Sequence, residues 1–251
     1  MSNAVLLNIE NGIARITLNR PERLNAFDPE VAEGWAEACE LATQTSEVKA
    51  ILVAGEGRAF CAGGDVRAMA EMEDRRESMQ VLAGRINDGI LALVESAKPV
   101  VAAAHGVTAG GGLGILLSSD YAVIGESSKV GSIYAGVGLT PDLSVSAQLA
   151  RAVGERRALQ LVLQDNLLSA DEAVEWGLAA EKVADDAVLA RAEAIAEHWV
   201  QNAYAYGEAK RLVRAAAGRS FREQVADEAR TIGVASITPE GEKRIAAFAA
   251  R

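Results

Sequence analysis

Cysteine and histidine are almost absent from this sequence, which has two of each in 251 residues. Cys39 and Cys61 are too few for a disulfide framework, so a reducing compartment is expected. With only His105 and His198, a multi-histidine metal site is not expected, and no Cys or His pair has the spacing of zinc ligands. We therefore predict no metal site.

Basic residues are also scarce, with 25 Lys and Arg against 35 Asp and Glu and a net charge of −10. This charge disfavours attraction to nucleic acid or to an anionic membrane surface. Apolar runs are too short to span a bilayer, and residues 1–4 (MSNA) lack the pattern of a signal peptide. Because 50% of the residues are apolar, the chain can bury a substantial core, and we predict a soluble, cytoplasmic protein.

Two glycine-rich turns stand out among what is present. Residues 60–65 (FCAGGD) follow the apolar run 50–54, and residues 108–114 (TAGGGLG) follow the apolar run 100–104. Neither turn has the spacing of a P-loop or of a dinucleotide site. Each turn could simply permit a tight strand-to-helix connection. Alternatively, the two turns could place two amide donors on one oxygen, which is an oxyanion hole.

Alternating apolar strands and helices over the first part of the chain predict an α/β fold with a mostly parallel sheet. Asn11-Gly12 predicts a hairpin between strands 5–9 and 13–18, and Asp28-Pro29 predicts a helix start. Residues 67–78 are expected to form a mobile surface segment. After about residue 142 the pattern becomes almost wholly helical.

The motifs together resemble the crotonase superfamily, the enoyl-CoA hydratase/isomerase group. The matching stretches are residues 19–26, 59–65, 98–120, 168–173 and 176–178. The resemblance implies a crotonase-type spiral of ββα units, here residues 1–190, which would hold an acyl-CoA site. Residues 191–251 would then form a C-terminal helical region for capping and trimerisation. A homotrimer or hexamer is the assembly that the resemblance implies.

The resemblance also implies roles for particular residues. The backbone N–H groups of Gly64 and Gly111 would hold the thioester oxygen of an acyl-CoA substrate. Coenzyme A would be part of the substrate, so no separate cofactor is expected. Four residues match positions that line the CoA channel: Arg23, Ala26, Ala62 and Asp65. Arg23 fits an ordinary solvated arginine equally well. Residues 67–90 are expected to contain the side chains that select the acyl group.

Hydratases of this family use two glutamates, and both are missing here. Their positions are occupied by Gly114 and Tyr134. Adding water across a double bond needs groups that activate the water and protonate carbon. Ordinary hydratase activity is therefore disfavoured. Tyr134 could line the acyl pocket, donate a hydrogen bond or simply pack.

One carboxylate remains in the right part of the sequence, Asp142. Thr140, Pro141 and Asp142 have the pattern of a helix start, in which the acid would only favour the helix dipole. Some double-bond isomerases of the family, however, carry a catalytic aspartate in a similar Gly-Leu-x-Pro-Asp setting, and a family dehalogenase uses an aspartate here as a nucleophile. We expect a proton-shuttling isomerase in which Asp142 is the acid–base group, with Gly64 and Gly111 holding the enolate oxygen.

Other interpretations remain open. Asp142 could act as a nucleophile in a hydrolase or dehalogenase, or the chain could bind CoA without turnover. His105 fits a buried hydrogen-bonding role better than a catalytic one. The basic residues of a late helix could contact CoA phosphates, although a solvated helix face is the simpler interpretation; they are Lys210, Arg211 and Arg214.

Overall fold

The computed structural model describes residues 3–251. Met1 and Ser2 lie outside the described residues, and with them the first part of the segment in which no signal peptide is expected. The strands are β1 (Val5–Glu10), β2 (Ile13–Leu18), β3 (Ala50–Gly55), β4 (Val100–Ala104), β5 (Val107–Ala109), β6 (Tyr121–Gly125), β7 (Lys129–Gly131), β8 (Leu167–Ser169) and β9 (Glu181–Val183). The helices are α1 (Pro29–Gln44), α2 (Val66–Ala70), α3 (Arg75–Glu95), α4 (Gly111–Ser118), α5 (Val145–Val153), α6 (Glu155–Gln164), α7 (Ala170–Trp176), α8 (Val188–Val200), α9 (Ala203–Ala215), α10 (Phe221–Ser236) and α11 (Pro239–Ala249).

The larger sheet has six strands in the order β1-β2-β3-β4-β6-β9. The β1–β2 pair is the predicted antiparallel hairpin, and every other pairing in this sheet is parallel. Strands β3 and β4 are buried almost throughout, as expected for a parallel sheet covered on both faces. Their side chains alternate between a core under α1, α3 and α4 and a second core under α8.

The smaller sheet joins β5, β7 and β8 beside the ends of β3 and β4. One isolated bridge, between Cys61 and Thr108, connects it to the first glycine-rich turn, and a second, between Phe27 and Gly64, pairs that turn with the segment before α1. The Cys61 N–H donates to the Val107 carbonyl oxygen at 3.3 Å. These backbone contacts hold the two turns side by side.

The segment 67–78 was predicted to be a mobile surface segment; it lies at the surface and is largely helical, and its mobility stays a prediction. It contains most of α2 and the first turn of α3. The Asp65 carboxylate accepts hydrogen bonds from the N–H groups at the start of α2, and Asp74 accepts one from Glu77 at the start of α3. Arg75 donates to two carbonyl oxygens at the end of α2. Asp74 and Arg75 of this segment therefore cap helix ends.

The last four helices follow β9. Helix α8 packs on the sheet through its buried residues, among them Ala192 and Ile195. The proposed division between residues 190 and 191 falls inside this helix. A division between a core and a C-terminal region would therefore lie after Val200, and the C-terminal region we propose is α9 to α11.

Candidate active site

A cavity of about 270 Å³ lies where the two glycine-rich turns meet the segment that precedes α5. Its lining includes all four residues that were predicted to be catalytic: Gly64, Gly111, Tyr134 and Asp142. These residues are up to 78 positions apart in the sequence (142 − 64). The fold therefore brings together the groups that the sequence pattern singled out.

Gly64 is held by strand-like pairing on one side only. The Phe27 N–H donates to the Gly63 carbonyl oxygen at 2.7 Å, and the Asp65 N–H donates to the Phe27 carbonyl oxygen at 2.8 Å. Since backbone groups alternate in direction along an extended chain, the N–H of Gly64 points away from Phe27. Gly64 lines the cavity, and this position suits the predicted role of its amide as a donor to a ligand.

Gly111 is the first residue of α4, so its N–H has no acceptor within the helix. The helix start adds partial positive charge at the same place. The two turns are in close contact, because a Cβ atom on Gly63 would lie 3.2 Å from the Gly111 nitrogen. Gly63 also has a φ of +104°, which favours glycine. The turns can approach each other because Gly63 has no side chain.

Asp142 does not lie at a helix start, and that alternative is wrong. Helix α5 begins at Val145, with Ser144 as its N-terminal flanking residue. Leu143 and Ser144 both have left-handed backbone conformations, with φ of 47° and 65°. Consecutive left-handed residues other than glycine are strained, and such strain is common where structure positions a functional group. Asp142 is half-buried immediately before this turn.

Leu143 packs into space that two glycines of α4 leave open. A Cβ atom on Gly111 would lie 2.6 Å from Leu143 Cδ1. A Cβ atom on Gly114 would overlap the Leu143 carbonyl oxygen and lie 3.0 Å from Leu143 Cβ. Gly114 therefore has no room for a side chain in this conformation, because Leu143 occupies the space that the side chain would need.

Tyr134 and Asp142 form a pair within the cavity. The Tyr134 hydroxyl donates a hydrogen bond of 2.7 Å to Asp142 Oδ1. Burial raises the pKa of the Asp142 carboxyl, although the hydrogen bond from Tyr134 opposes this rise. Burial and the negative charge of Asp142 raise the pKa of Tyr134. Tyr134 consequently stays protonated and acts as a donor, while the proton affinity of the Asp142 carboxyl is above normal.

Of the four residues predicted to contact CoA, only one lines the cavity. Ala62 lines the cavity, whereas the other three lie outside its lining as the structure describes it. Asp65 is buried, and its carboxylate lies 3.6 Å from Arg20 and accepts two N–H groups of α2. Ala26 is buried, and Arg23 is exposed in a 3-10 turn. Contacts of these residues with CoA stay a prediction.

His105 has the hydrogen-bonding role that was favoured for it. Its Nε2 lies 2.7 Å from the Gly57 carbonyl oxygen, and the half-buried ring is outside the cavity lining.

The basic residues of α9 make hydrogen bonds and ion pairs within the protein. Lys210 is buried, and its Nζ donates to the carbonyl oxygens of Leu93 (2.6 Å) and Lys98 (2.7 Å). Arg214 and Lys210 both pair with Asp120, at 2.7 Å and 3.1 Å. Arg211 pairs with Asp227 at 2.6 Å. Lys210 therefore does not lie on a solvated face, and the charges of these residues anchor α9 and α10. Their contact with CoA phosphates stays a prediction.

Only part of the apolar lining of the cavity was predicted from the sequence. Several side chains in segment 67–90 line it: Met69, Met79, Gln80, Leu82, Ala83 and Ile86. The opposite wall was missed and consists of residues around the Tyr134–Asp142 pair: Ile133, Val137, Leu139, Thr140 and Leu143. Nothing in their sequence pattern distinguishes them from ordinary loop residues.

Among residues 3–251, no cluster of three or more His, Cys, Asp or Glu side chains is arranged to hold a metal ion. Within the same range, no helix has the length and hydropathy of a membrane-spanning segment.

Residues 8–250 match the protein-family model described as Enoyl-CoA hydratase/isomerase. The chain is 31% identical over 228 residues to the 1,2-epoxyphenylacetyl-CoA isomerase of Escherichia coli (strain K12), which covers 90% of this chain and 87% of that protein. It is 33% identical over 202 residues to the short-chain-enoyl-CoA hydratase of Clostridium acetobutylicum, which covers 80% of this chain and 77% of that protein.

The crystal structure of an enoyl-CoA hydratase from Mycobacterium smegmatis superimposes with a TM-score of 0.91 at 27% identity. The superposition covers 98% of this chain and 96% of that one. The predicted architecture, an α/β core followed by C-terminal helices, is confirmed by this likeness.

Proposed function

This chain belongs to the enoyl-CoA hydratase/isomerase family, the crotonase superfamily, and on that premise we propose that it moves a carbon–carbon double bond within an acyl-CoA thioester. Acyl-CoA substrates follow from the family. The particular reaction follows from the residues that line the cavity.

In the proposed reaction, the thioester oxygen accepts hydrogen bonds from the N–H groups of Gly64 and Gly111. When a proton leaves a carbon near the thioester, the electron pair of that C–H bond moves into the enolate, and negative charge develops on the same oxygen. Two preorganised donors stabilise that charge more than the neutral carbonyl, which lowers the barrier. Losing one such donor typically costs about 3 kcal/mol of transition-state stabilisation.

Asp142 is the base in this proposal. Its carboxylate takes the proton, and the resulting carboxylic acid returns it to a carbon further along the conjugated system, where a new C–H bond forms. One carboxyl group suffices because it regains its starting state at the end of the cycle. A pKa raised by burial increases the proton affinity of this base, which favours removal of a carbon acid's proton. Tyr134 holds the carboxylate through its hydrogen bond.

The observation that carries the proposal is that the cavity offers one carboxylate and no space for a second at Gly114. Among the lining residues that the structure describes, Asp142 is the only acid. The Leu143 backbone fills the volume that a side chain at Gly114 would need. The two-carboxylate arrangement of a hydratase is therefore not available here. The likeness to the Escherichia coli protein is compatible with an isomerase, and the likeness to the Clostridium acetobutylicum hydratase means that the site, not the family, carries the choice of reaction.

The test is product analysis with a 3-enoyl-CoA thioester of about eight carbons, a length that suits the cavity. Isomerisation leaves the mass unchanged and increases the absorbance of the conjugated thioester. A gain of one water would instead indicate hydration, and release of free CoA would indicate a hydrolase with Asp142 as nucleophile. Either of these as the main product contradicts the proposal, as does the absence of any product despite binding.

A further inference from the structure

The walls of the cavity carry no positive charge. Asp142 is the only charged side chain among the lining residues that the structure describes. The nearby cations on α2 and α3 are outside the lining, and Arg85 is paired with Glu33 at 2.7 Å. Arg75 donates to the carbonyl oxygens of Met69 and Ala70. A second anion in this cavity would face Asp142 without a partner.

Two flexible methionine side chains, Met69 and Met79, form one apolar wall of the cavity. Met69 lies directly over Gly64, because a Cβ atom on Gly64 would overlap Met69 Cε and lie 3.6 Å from its Sδ. Met79 lines the cavity on the same side, next to Leu82 and Ile86 on α3. Methionine side chains adapt to irregular shapes, and their sulfur atoms make favourable contacts with aromatic rings. This wall can therefore accommodate a chain or a ring.

The volume of the cavity limits the size of the acyl group. An apolar protein cavity of about 150 Å³ holds one benzene molecule. At about 270 Å³, this cavity has room for a ring with a short linker or for a chain of similar bulk.

Resting on the proposed function, we propose that the cavity selects an uncharged, apolar acyl group of about eight carbons, chain or ring, and rejects acyl groups that carry a distal carboxylate. The rejection has two causes. A carboxylate that enters the cavity loses hydration without gaining a cation, and it is repelled by Asp142.

The test compares the CoA thioesters of octanoic, octanedioic and phenylacetic acid by isothermal titration calorimetry. All three share CoA, so its contacts cancel in the comparison. We expect octanoyl-CoA and phenylacetyl-CoA to bind with similar Kd values, and the thioester of the diacid to bind at least about tenfold more weakly. Equal Kd values for octanoyl-CoA and the thioester of octanedioic acid would overturn the inference.

Two variants test whether the acyl group is selected within the cavity. Gln80 is exposed and lines the cavity, whereas its neighbour Val81 is 66% exposed and lines a different groove. Gln80→Lys should reduce the preference against the diacid by about fivefold or more, because it supplies the missing cation. Val81→Lys adds the same charge and should leave the preference unchanged. Equal effects of the two variants would contradict selection within the cavity.

These measurements separate the inference from the proposed function. None of the three thioesters has an isomerisable double bond, so their binding does not depend on turnover. Isomerisation without any preference among them would contradict the inference alone. An intact preference without isomerisation of any enoyl-CoA would contradict the proposed function alone, and no binding of any thioester would contradict both.

Discussion

Asp142 is half-buried, accepts a hydrogen bond from Tyr134 and faces a cavity in which no other lining residue described by the structure is ionised. Asp142→Asn keeps the shape of the side chain and its ability to accept that hydrogen bond, but it removes the base. We expect kcat for double-bond isomerisation to fall by about 10²–10⁴-fold, with a smaller change in KM.

The matched control is Asp186→Asn, which makes the same change at an exposed position outside the cavity. This variant should keep the wild-type rate. Isomerisation by Asp142→Asn at the wild-type rate would remove Asp142 from the mechanism.

The hydrogen bond from Tyr134 lowers the pKa of Asp142 against the larger effect of burial, which raises it. Since the base must be ionised, kcat/KM should decrease as the pH falls through the pKa of Asp142. Tyr134→Phe removes a donor that stabilises the carboxylate, so the pKa of Asp142 rises further. The acidic limb of the pH profile of kcat/KM should therefore move to higher pH.

Phenylalanine fills nearly the same volume as tyrosine, so packing in the cavity should be retained. A Tyr134→Phe profile that is unchanged, or moved to lower pH, would show that Tyr134 does not act on the carboxylate. A purely structural role would lower the rate at every pH and leave the midpoint in place.

At the scale of helices and strands, local chemistry was sufficient to predict several helix starts and the first hairpin. Helix α1 begins at Pro29, and the Asp28 side chain accepts the Val31 N–H as its pattern predicts. The capping box of Ser169 and Glu172 starts α7. Such features depend on side chains within one turn of the boundary, which is why one sequence reveals them.

The segment that carries Asp142 could not be predicted in this way. Thr140-Pro141-Asp142 has the composition of a helix start, yet α5 begins three residues after Asp142, at Val145. The left-handed conformation of Leu143 has no local signal, since leucine rarely adopts it. It is stabilised by packing against Gly114, which is distant in sequence. The tertiary contact between Leu143 and Gly114 therefore outweighs the local preference of residues 140–142 for a helix start.

The packing of Leu143 against Gly114 leads to a prediction for the turn before α5. Gly114→Glu restores a glutamate at the position where hydratases have one, but its Cβ atom would overlap the Leu143 carbonyl oxygen. The turn must shift and Asp142 with it. Because misplacement by about 1 Å can cost about 10²-fold in rate, isomerisation should fall by about that factor. No addition of water should appear by mass spectrometry.

Gly84→Ala is the control for this substitution. Gly84 lies within α3, and a Cβ atom there meets nothing within 4 Å. Alanine should stabilise the helix by up to about 1 kcal/mol and leave the reaction unchanged. Efficient hydration by Gly114→Glu would show that the turn can move aside without loss, contrary to the assigned role of Leu143.

At the scale of the whole molecule, an α/β core followed by C-terminal helices was predictable, and the contacts of those helices were not. The charges of α9 have the spacing of a solvated face, but Lys210 is buried against two carbonyl oxygens and Asp120. Which face of a helix is buried depends on its neighbours, and here polar groups rather than an apolar stripe mark the buried face.

The last two helices and the turn between them expose several large apolar side chains. Phe221 is 84% exposed, Ile232 and Ile237 are each 71% exposed, and Phe248 is 76% exposed. Single exposed apolar residues are common, but a concentration of them on one region marks an interaction surface. We propose that α10 and α11 are covered by copies of the same chain in a homotrimer or a hexamer.

Light scattering coupled to size-exclusion chromatography should therefore give a native mass of three or six chains. Combining Ile237→Glu with Phe248→Glu places charges on this surface and should reduce the mass toward that of one chain, because burying unpaired carboxylates is costly. Leu163→Glu makes the same change at a residue that is 76% exposed on α6, and it should leave the mass unchanged. A wild-type mass of one chain would contradict the assembly, and a double variant that stays assembled would place the interface elsewhere.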